Sequence, residues 1–155
     1  VLGEQPPKIE VICADGRREE GVAVLTGNGA LYGGPFKFFR NANNHDSKLD
    51  VLVYKESGYK LVLDSLRGLA TGGIDLMAST SCFQAEEFTV RADREVPVQV
   101  DGELVGRFSE IHFVESRNRL RVIAPEEPLV GGFADTMKSL LHWPRAAEVP
   151  TAKSL

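Results

Sequence analysis

Turn signals at short, regular intervals constrain this chain more than any other feature. "KIEVICADGRREEGVAVLTGNG" places Ile9, Val11 and Cys13 in alternation with polar neighbours. Asp15-Gly16 then supplies the positive φ of a tight turn, and Val22, Val24 and Thr26 continue on a return strand. "LDVLVYK" (49–55) reads as a third strand. Further strand-like runs follow in "TSCFQAEEFTVRA", "VPVQVDGELVGRF", "EIHFVES" and "LRVIAP", punctuated by Gly, Asp and Asn. Only two stretches change period. In "SGYKLVLDSLRGLATGG", Tyr59, Val62, Leu63, Leu66 and Leu69 fall at helical spacing behind Ser57 as N-cap, and Gly72-Gly73 ends the run. "GGFADTMKSLLHWPR" reads as a short C-terminal helix with Ala134, Met137, Leu140 and Leu141 on one side. About eight short strands against one main helix predict a mostly β fold, a two-sheet β-sandwich with a short helix at its end.

Length and composition support one domain. The 155 residues suffice for a real core, with 43% hydrophobic and 26% charged residues. We expect a single β-sandwich domain over 1–145 and a frayed tail over 146–155. The net charge of −4 argues against a nucleic-acid partner. No apolar run approaches the roughly 20 residues of a membrane span, and the start shows no signal peptide. We therefore expect a cytoplasmic protein, peripheral at a membrane if its partner is lipid. Cys13 and Cys82 lie far apart in strand-like runs and are expected to be buried or half-buried free thiols.

Several stretches carry candidate chemistry. "GNGALYGG" (27–34) fails both the dinucleotide and the P-loop patterns, because Tyr32 replaces a glycine and no Gly-Lys-Ser/Thr follows. It is either a long turn or a loop whose bare backbone admits a ligand or another domain. Asp46, in "NNHDSKLD", is either plain turn chemistry or a cation ligand, with the carbonyls of Asn43 and Lys48 bracketing it. Asp101-Gly102 signals a hairpin; Glu103 beside it would stand at a rigid sheet end, suited to a general base. His45 reads as a solvated loop histidine, and His112, between Ile111 and Phe113, faces away from the core. Phe36, Phe38 and Phe39 with Lys37 and Arg40 are either core or a membrane-facing patch. Arg117, Arg119 and Arg121 are either a solvated stripe or a phosphate contact.

Taken in order, these pieces resemble the C-terminal domain of the diacylglycerol kinase and sphingosine kinase superfamily of lipid kinases. The resemblance rests on Gly27-Asn28-Gly29, Gly33-Gly34, Ala42-x-x-x-Asp46-Ser47-Lys48-Leu49-Asp50-Val51, Asp101-Gly102-Glu103 and Val122-x-x-Pro125, and covers about residues 8 to 125. It implies half of a two-domain enzyme that transfers the γ-phosphate of ATP to a diacylglycerol- or sphingoid-type lipid hydroxyl. ATP is then bound mainly by an N-terminal domain whose Gly-Gly-Asp-Gly-Thr motif these residues lack; "TGGID" at 71–75 has the wrong order. By the same resemblance Glu103 is the general base, Asp46 with the carbonyls of Asn43 and Lys48 holds Mg²⁺, and Asn28 and Gly29 face the interdomain cleft. The reading expects Asp46 and Glu103 on one concave rim. Where the family has glycine this chain has Ser47, which should disfavour a tight positive-φ turn. Implied partners are the N-terminal ATP-binding domain and a lipid at a membrane surface; a homodimer through an exposed sheet edge is a further expectation. The isolated chain is expected to be inactive. A non-catalytic lipid- or protein-binding sandwich on the same scaffold is the alternative, and the related NAD kinase group a remoter one.

Overall fold

The computed structural model describes residues 5–32, 36–58, 63, 68 and 77–116. They lie in the first of two units, Val1–Ile123 and Ala124–Leu155. Among them run nine strands: β1 (Ile9–Cys13), β2 (Arg18–Gly21), β3 (Ala23–Gly27), β4 (Leu31–Tyr32), β5 (Phe36–Lys37), β6 (Leu49–Tyr54), β7 (Thr80–Ala85), β8 (Glu87–Val100) and β9 (Glu103–Val114). Two sheets form the expected sandwich, one ordered β2-β1-β8-β9 and one β3-β6-β7, with β4-β5 as a small ribbon. Every pairing is antiparallel. Of the main helix expected from Ser57 onward, only Leu63 and Gly68 are described beyond its first turn, and both are helical. The expected strand at 120–125, the arginine stripe, the C-terminal helix and the tail lie outside the described residues.

Alternation along the strands sets the core. Val11, Cys13 and Phe88 from the four-stranded sheet meet Val51, Val53 and Phe83 from the three-stranded one. Phe113 joins this layer by stacking on Phe88, with centroids 4.8 Å apart. The opposite face of β6 carries Leu52, wholly buried although it points away from the first core. It packs with Phe39, Leu25, Phe38, Ala42 and Tyr54 in a second cluster. The polar-rich loop before β6 is thus a lid on the outer face of the three-stranded sheet. Phe38 and Phe39 belong to that lid; Phe39 is 1% exposed and Phe38 packs against its cluster, so these two rings are core rather than a membrane patch.

The first hairpin is shorter than the alternation predicts. Its return strand reaches only from Arg18 to Gly21, and the apolar residues from Ala23 onward enter the other sheet against β6. The chain changes sheets at Gly21 and Val22. Val22 N–H donates to Tyr54 O at 2.7 Å, which draws the chain hard against β6. A Cβ on Gly21 would lie 2.5 Å from Tyr54 O and 2.5 Å from Val53 Cγ1. Only a residue without a side chain passes this corner.

A second corner lies between β7 and β8. "TSCFQAEEFTVRA" is therefore two strands in two sheets, split at Glu86. β8 and β9 then merge what the sequence presents as separate runs, with register shifts between Arg91 and Val96 and between Val98 and Gln99. β1 covers β8 only as far as Ala92. Beyond that point the hairpin has no further neighbour among the described strands. Pro97, which has no N–H to donate, is tolerated there for that reason.

Candidate functional site

The outer face of the three-stranded sheet places Gly27, Asp50 and Gln84 side by side on β3, β6 and β7. The lid lies over this ladder. Phe39 packs so closely that a Cβ on Gly27 would meet its ring at 2.9 Å. Glycine in this loop therefore admits the chain's own aromatic ring. Asn28 is exposed and Gly29 half-buried, and a Cβ on Gly29 would make only ordinary contact, 3.9 Å from Asn44 Oδ1. Gly33 and Gly34 lie outside the described residues.

The turn around Asp46 is built from its own polar groups. Asp46 N–H donates to Asn43 O at 3.2 Å. His45 N–H donates to Asn43 Oδ1 at 3.0 Å, and Lys48 N–H to Asp46 Oδ1 at 3.1 Å. This is Asx-turn chemistry. It requires the left-handed conformation at Ser47, whose φ is 60°. The turn thus forms despite the serine, at a conformational cost. We expect Ser47→Gly to raise stability by up to about 1 kcal/mol, the left-handed penalty less glycine's unfolded-state entropy. Urea denaturation of the two chains checks this.

Gln84 ties this turn to the sheet. Its Nε2 lies 3.3 Å from Asp46 Oδ2, 3.2 Å from Asp50 Oδ1 and 3.5 Å from Asn41 O. Asp50 is 2% exposed, and its Oδ2 is buried without a hydrogen-bond partner. Burial pushes the Asp50 carboxyl above its usual value of 3.8; Gln84 pulls it down less strongly, and the negative charge of Asp46 adds to the rise. The folded state therefore binds this proton more tightly than the unfolded one. Asp50's contribution is fully present below about pH 4 and is lost as the pH rises through its own raised pKa. Removing the charge should reverse that loss. Asp50→Asn is expected to be more stable by about 1–3 kcal/mol at neutral pH, with the gain gone at about pH 3. Thermal melts across that range in a chelator are the measurement.

Glu103 stands elsewhere. It opens β9 directly after the Asp101-Gly102 turn, where φ values of 49° and 95° fit the two-residue hairpin the sequence predicts. The tip closes the β8–β9 hairpin. It belongs to the stretch of β8–β9 that β1 leaves uncovered, and it is exposed along with Val100, Leu104 (70%) and Val105. Asp46 lies in the loop that leads into β6 of the three-stranded sheet, whereas Glu103 lies on β9 of the four-stranded one. The 14 residues of β8 lie between the corner beside Gln84 and the tip, a reach of up to ~45 Å in a straight strand.

The remaining candidates resolve simply. His45 is exposed. His112 is half-exposed on the outer face, as expected, with Nδ1 3.0 Å from Thr89 Oγ1 and Nε2 3.3 Å from Glu87 Oε1. Neither cysteine forms a disulfide: Cys13 is buried, and burial raises its thiol pKa, whereas Cys82 is exposed rather than half-buried. Cys82 sits opposite Leu52 on the outer face, away from the inter-sheet core. Sequence reasoning gave no role to Gln84 or Asp50. Asp50 was visible as an acid inside an apolar strand; nothing local marked Gln84.

A two-sheet antiparallel sandwich with a loop lid and a projecting hairpin defines the class. The chain belongs to the YegS C-terminal NAD kinase beta sandwich-like domain family, whose model matches residues 5–124. No curated protein matches it. Among solved structures it is similar to one described as "a putative diacylglycerol kinase from Bacillus anthracis str. Sterne", with TM-score 0.57 and 22% identity over 74% of this chain. A second structure, described as a diacylglycerol kinase from the same organism, has TM-score 0.54 and 20% identity over 72% of this chain. In both cases the match covers 39% of the other protein. At such identities the likeness speaks for the fold. Among the described residues no helix is long and apolar enough to cross a membrane.

Proposed function

We propose that these residues are the C-terminal part of an ATP-dependent lipid kinase, working with an N-terminal ATP-binding domain of the same protein. The observation that carries this reading is the family match over residues 5–124, in a fold shared with proteins described as diacylglycerol kinases. In this reading Glu103 is the general base. It takes the proton from a lipid hydroxyl as the oxygen attacks the γ-phosphate of ATP. Its place at a projecting tip suits a group that must reach into a cleft completed by another domain. Leu104, Val100 and Val105 supply an apolar flank for the alkyl part of the substrate. Asn28 and Gly29, at the end of β3, are assigned to the cleft loop.

The turn at Asp46 fits a hard divalent cation such as Mg²⁺. Two carboxylates converge there, one of them with a buried unpartnered oxygen, and neither has a Lys or Arg partner among the described residues. Asp46 and the carbonyls of Asn43 and Lys48 are the groups assigned to hold it. When bound, the cation neutralises the carboxylates and fixes the lid on the sheet. In this reading the cation has a structural role, and the proton transfer is left to Glu103. The test is phosphate transfer from ATP to diacylglycerol or sphingoid-base vesicles by the full gene product. Transfer by the full product and none by the 155-residue chain supports the reading; absence of transfer to any lipid alcohol refutes it.

The exposed apolar hairpin tip specifically favours a second reading, a non-catalytic lipid- or protein-binding sandwich. Sedimentation of this chain with vesicles, in the absence of any ATP-binding domain, would support it.

A further inference from the structure

The amide of Gln84 is over-committed. Its nitrogen carries two hydrogens, yet it faces Asp46 Oδ2, Asp50 Oδ1 and Asn41 O at 3.2–3.5 Å. Asp50 Oδ2 adds an acceptor that nothing satisfies. With only carboxylate and carbonyl oxygens around it, the amide must turn its nitrogen inward. A neutral NH₂ thus stands at a focus of oxygens that carries two negative charges, one of them on a side chain 98% removed from solvent. Desolvated carboxylates demand a cation far more than a neutral donor.

We infer that Gln84 stands in for a cation, that Asp50 is a second carboxylate ligand of the cation held at Asp46, and that Gln84 turns its amide oxygen inward when that cation binds. The inference rests on the reading that Asp46 holds a cation, and extends the ligand set beyond Asp46 and the carbonyls of its own loop. The rotation is inexpensive, because the terminal amide torsion of glutamine is broad and two-fold. It converts the residue from donor to ligand without moving the strand that carries it. The lid, joined to the sheet by Gln84 in the absence of metal, is then joined to it by the cation. Gln84 is therefore a positioning residue with two states.

A purely structural clamp and a cation stand-in predict opposite signs for Gln84→Glu. That change replaces the donor by a third carboxylate. A clamp is simply lost, and cation response falls or stays level. A stand-in becomes a permanent ligand: the chain is less stable in chelator, and cation affinity rises.

The experiment titrates the 155-residue chain with Tb³⁺ by sensitised luminescence and with Mg²⁺ by melting temperature, for the parent, Asp46→Asn, Asp50→Asn and Gln84→Glu. We expect saturable binding by the parent, weakened by at least about tenfold in each Asn variant and tightened by about tenfold in Gln84→Glu. Asp50→Asn is expected to melt higher in chelator, so its loss of binding is not a loss of fold. If Asp46→Asn abolishes binding while Asp50→Asn and Gln84→Glu match the parent, the inference fails and the loop-carbonyl site stands. If neither the parent nor Gln84→Glu binds, both cation assignments fail, and the kinase reading is judged separately by lipid phosphorylation.

Discussion

In the full gene product, Glu103→Gln should lower phosphate transfer to lipid by about 10²–10⁴-fold while leaving the melting temperature unchanged. The two halves of that expectation come from the same observation. Glu103 is exposed at the tip of a hairpin, its carboxylate has no hydrogen-bond or ion-pair partner among the described residues, and exposed residues follow it. Its neutral isostere removes nothing the fold uses. In the proposed reaction the same side chain is the proton acceptor, and an amide cannot accept that proton. A nucleophilic alkoxide is not available at neutral pH without a base, so the loss should appear in kcat rather than in lipid KM. Full activity of Glu103→Gln would remove the assignment. A matched fall in melting temperature would mean that the tip is structural after all.

The largest expected effect on stability is at the first crossing between sheets. Gly21→Ala should cost about 3 kcal/mol or more, a shift on the order of 10 °C in a domain of this size. The added methyl meets a backbone carbonyl and a Val53 methyl, each at 2.5 Å. Neither can swing aside. Tyr54 O already accepts the Val22 N–H at 2.7 Å, and Val53 is fully buried in the inter-sheet core. Relief requires β6 to move away from the corner, which opens the packing of Val11, Val51 and Phe88 as well. A marginal domain with a total stability of roughly 5–15 kcal/mol feels such a change strongly. Urea denaturation of Gly21→Ala beside Gly16→Ala gives an internal control. Gly16 has open space around it, and the penalty there is confined to its φ of 89°.

These two positions also show what is legible in a sequence. The tip was readable because a two-residue Asp-Gly turn is local chemistry: it needs positive φ at both positions, and few residue pairs supply it. The corner was not. In "REEGVAVLTG" Val22, Val24 and Thr26 follow the charged residues with no turn signal at the crossing, so the sequence assigns one strand where there are two. Gly21 is required by the approach of β6, 32 residues away, and nothing within its own turn records that approach. The phenylalanines of the lid pose the same problem. Composition leaves Phe39 open between core and surface; the bare backbone of Gly27 beneath its ring and the packing with Leu52 make the difference.

At the candidate site the division is similar. The sequence by itself determined the mostly β architecture, the turn that presents Asp46, the hairpin that ends in Glu103, and the family to which these motifs belong. All of these rest on alternation, turn residues and motif order, which act over a few positions. Tertiary structure alone decided that Asp46 and Asp50 share one glutamine amide, that Asp50 keeps a buried oxygen without a partner, and that Glu103 projects from the sheet. Those facts depend on register between strands distant in the chain and on where β1 stops covering β8. Electrostatic demand of that kind exists only once the carboxylates are brought together and water is removed.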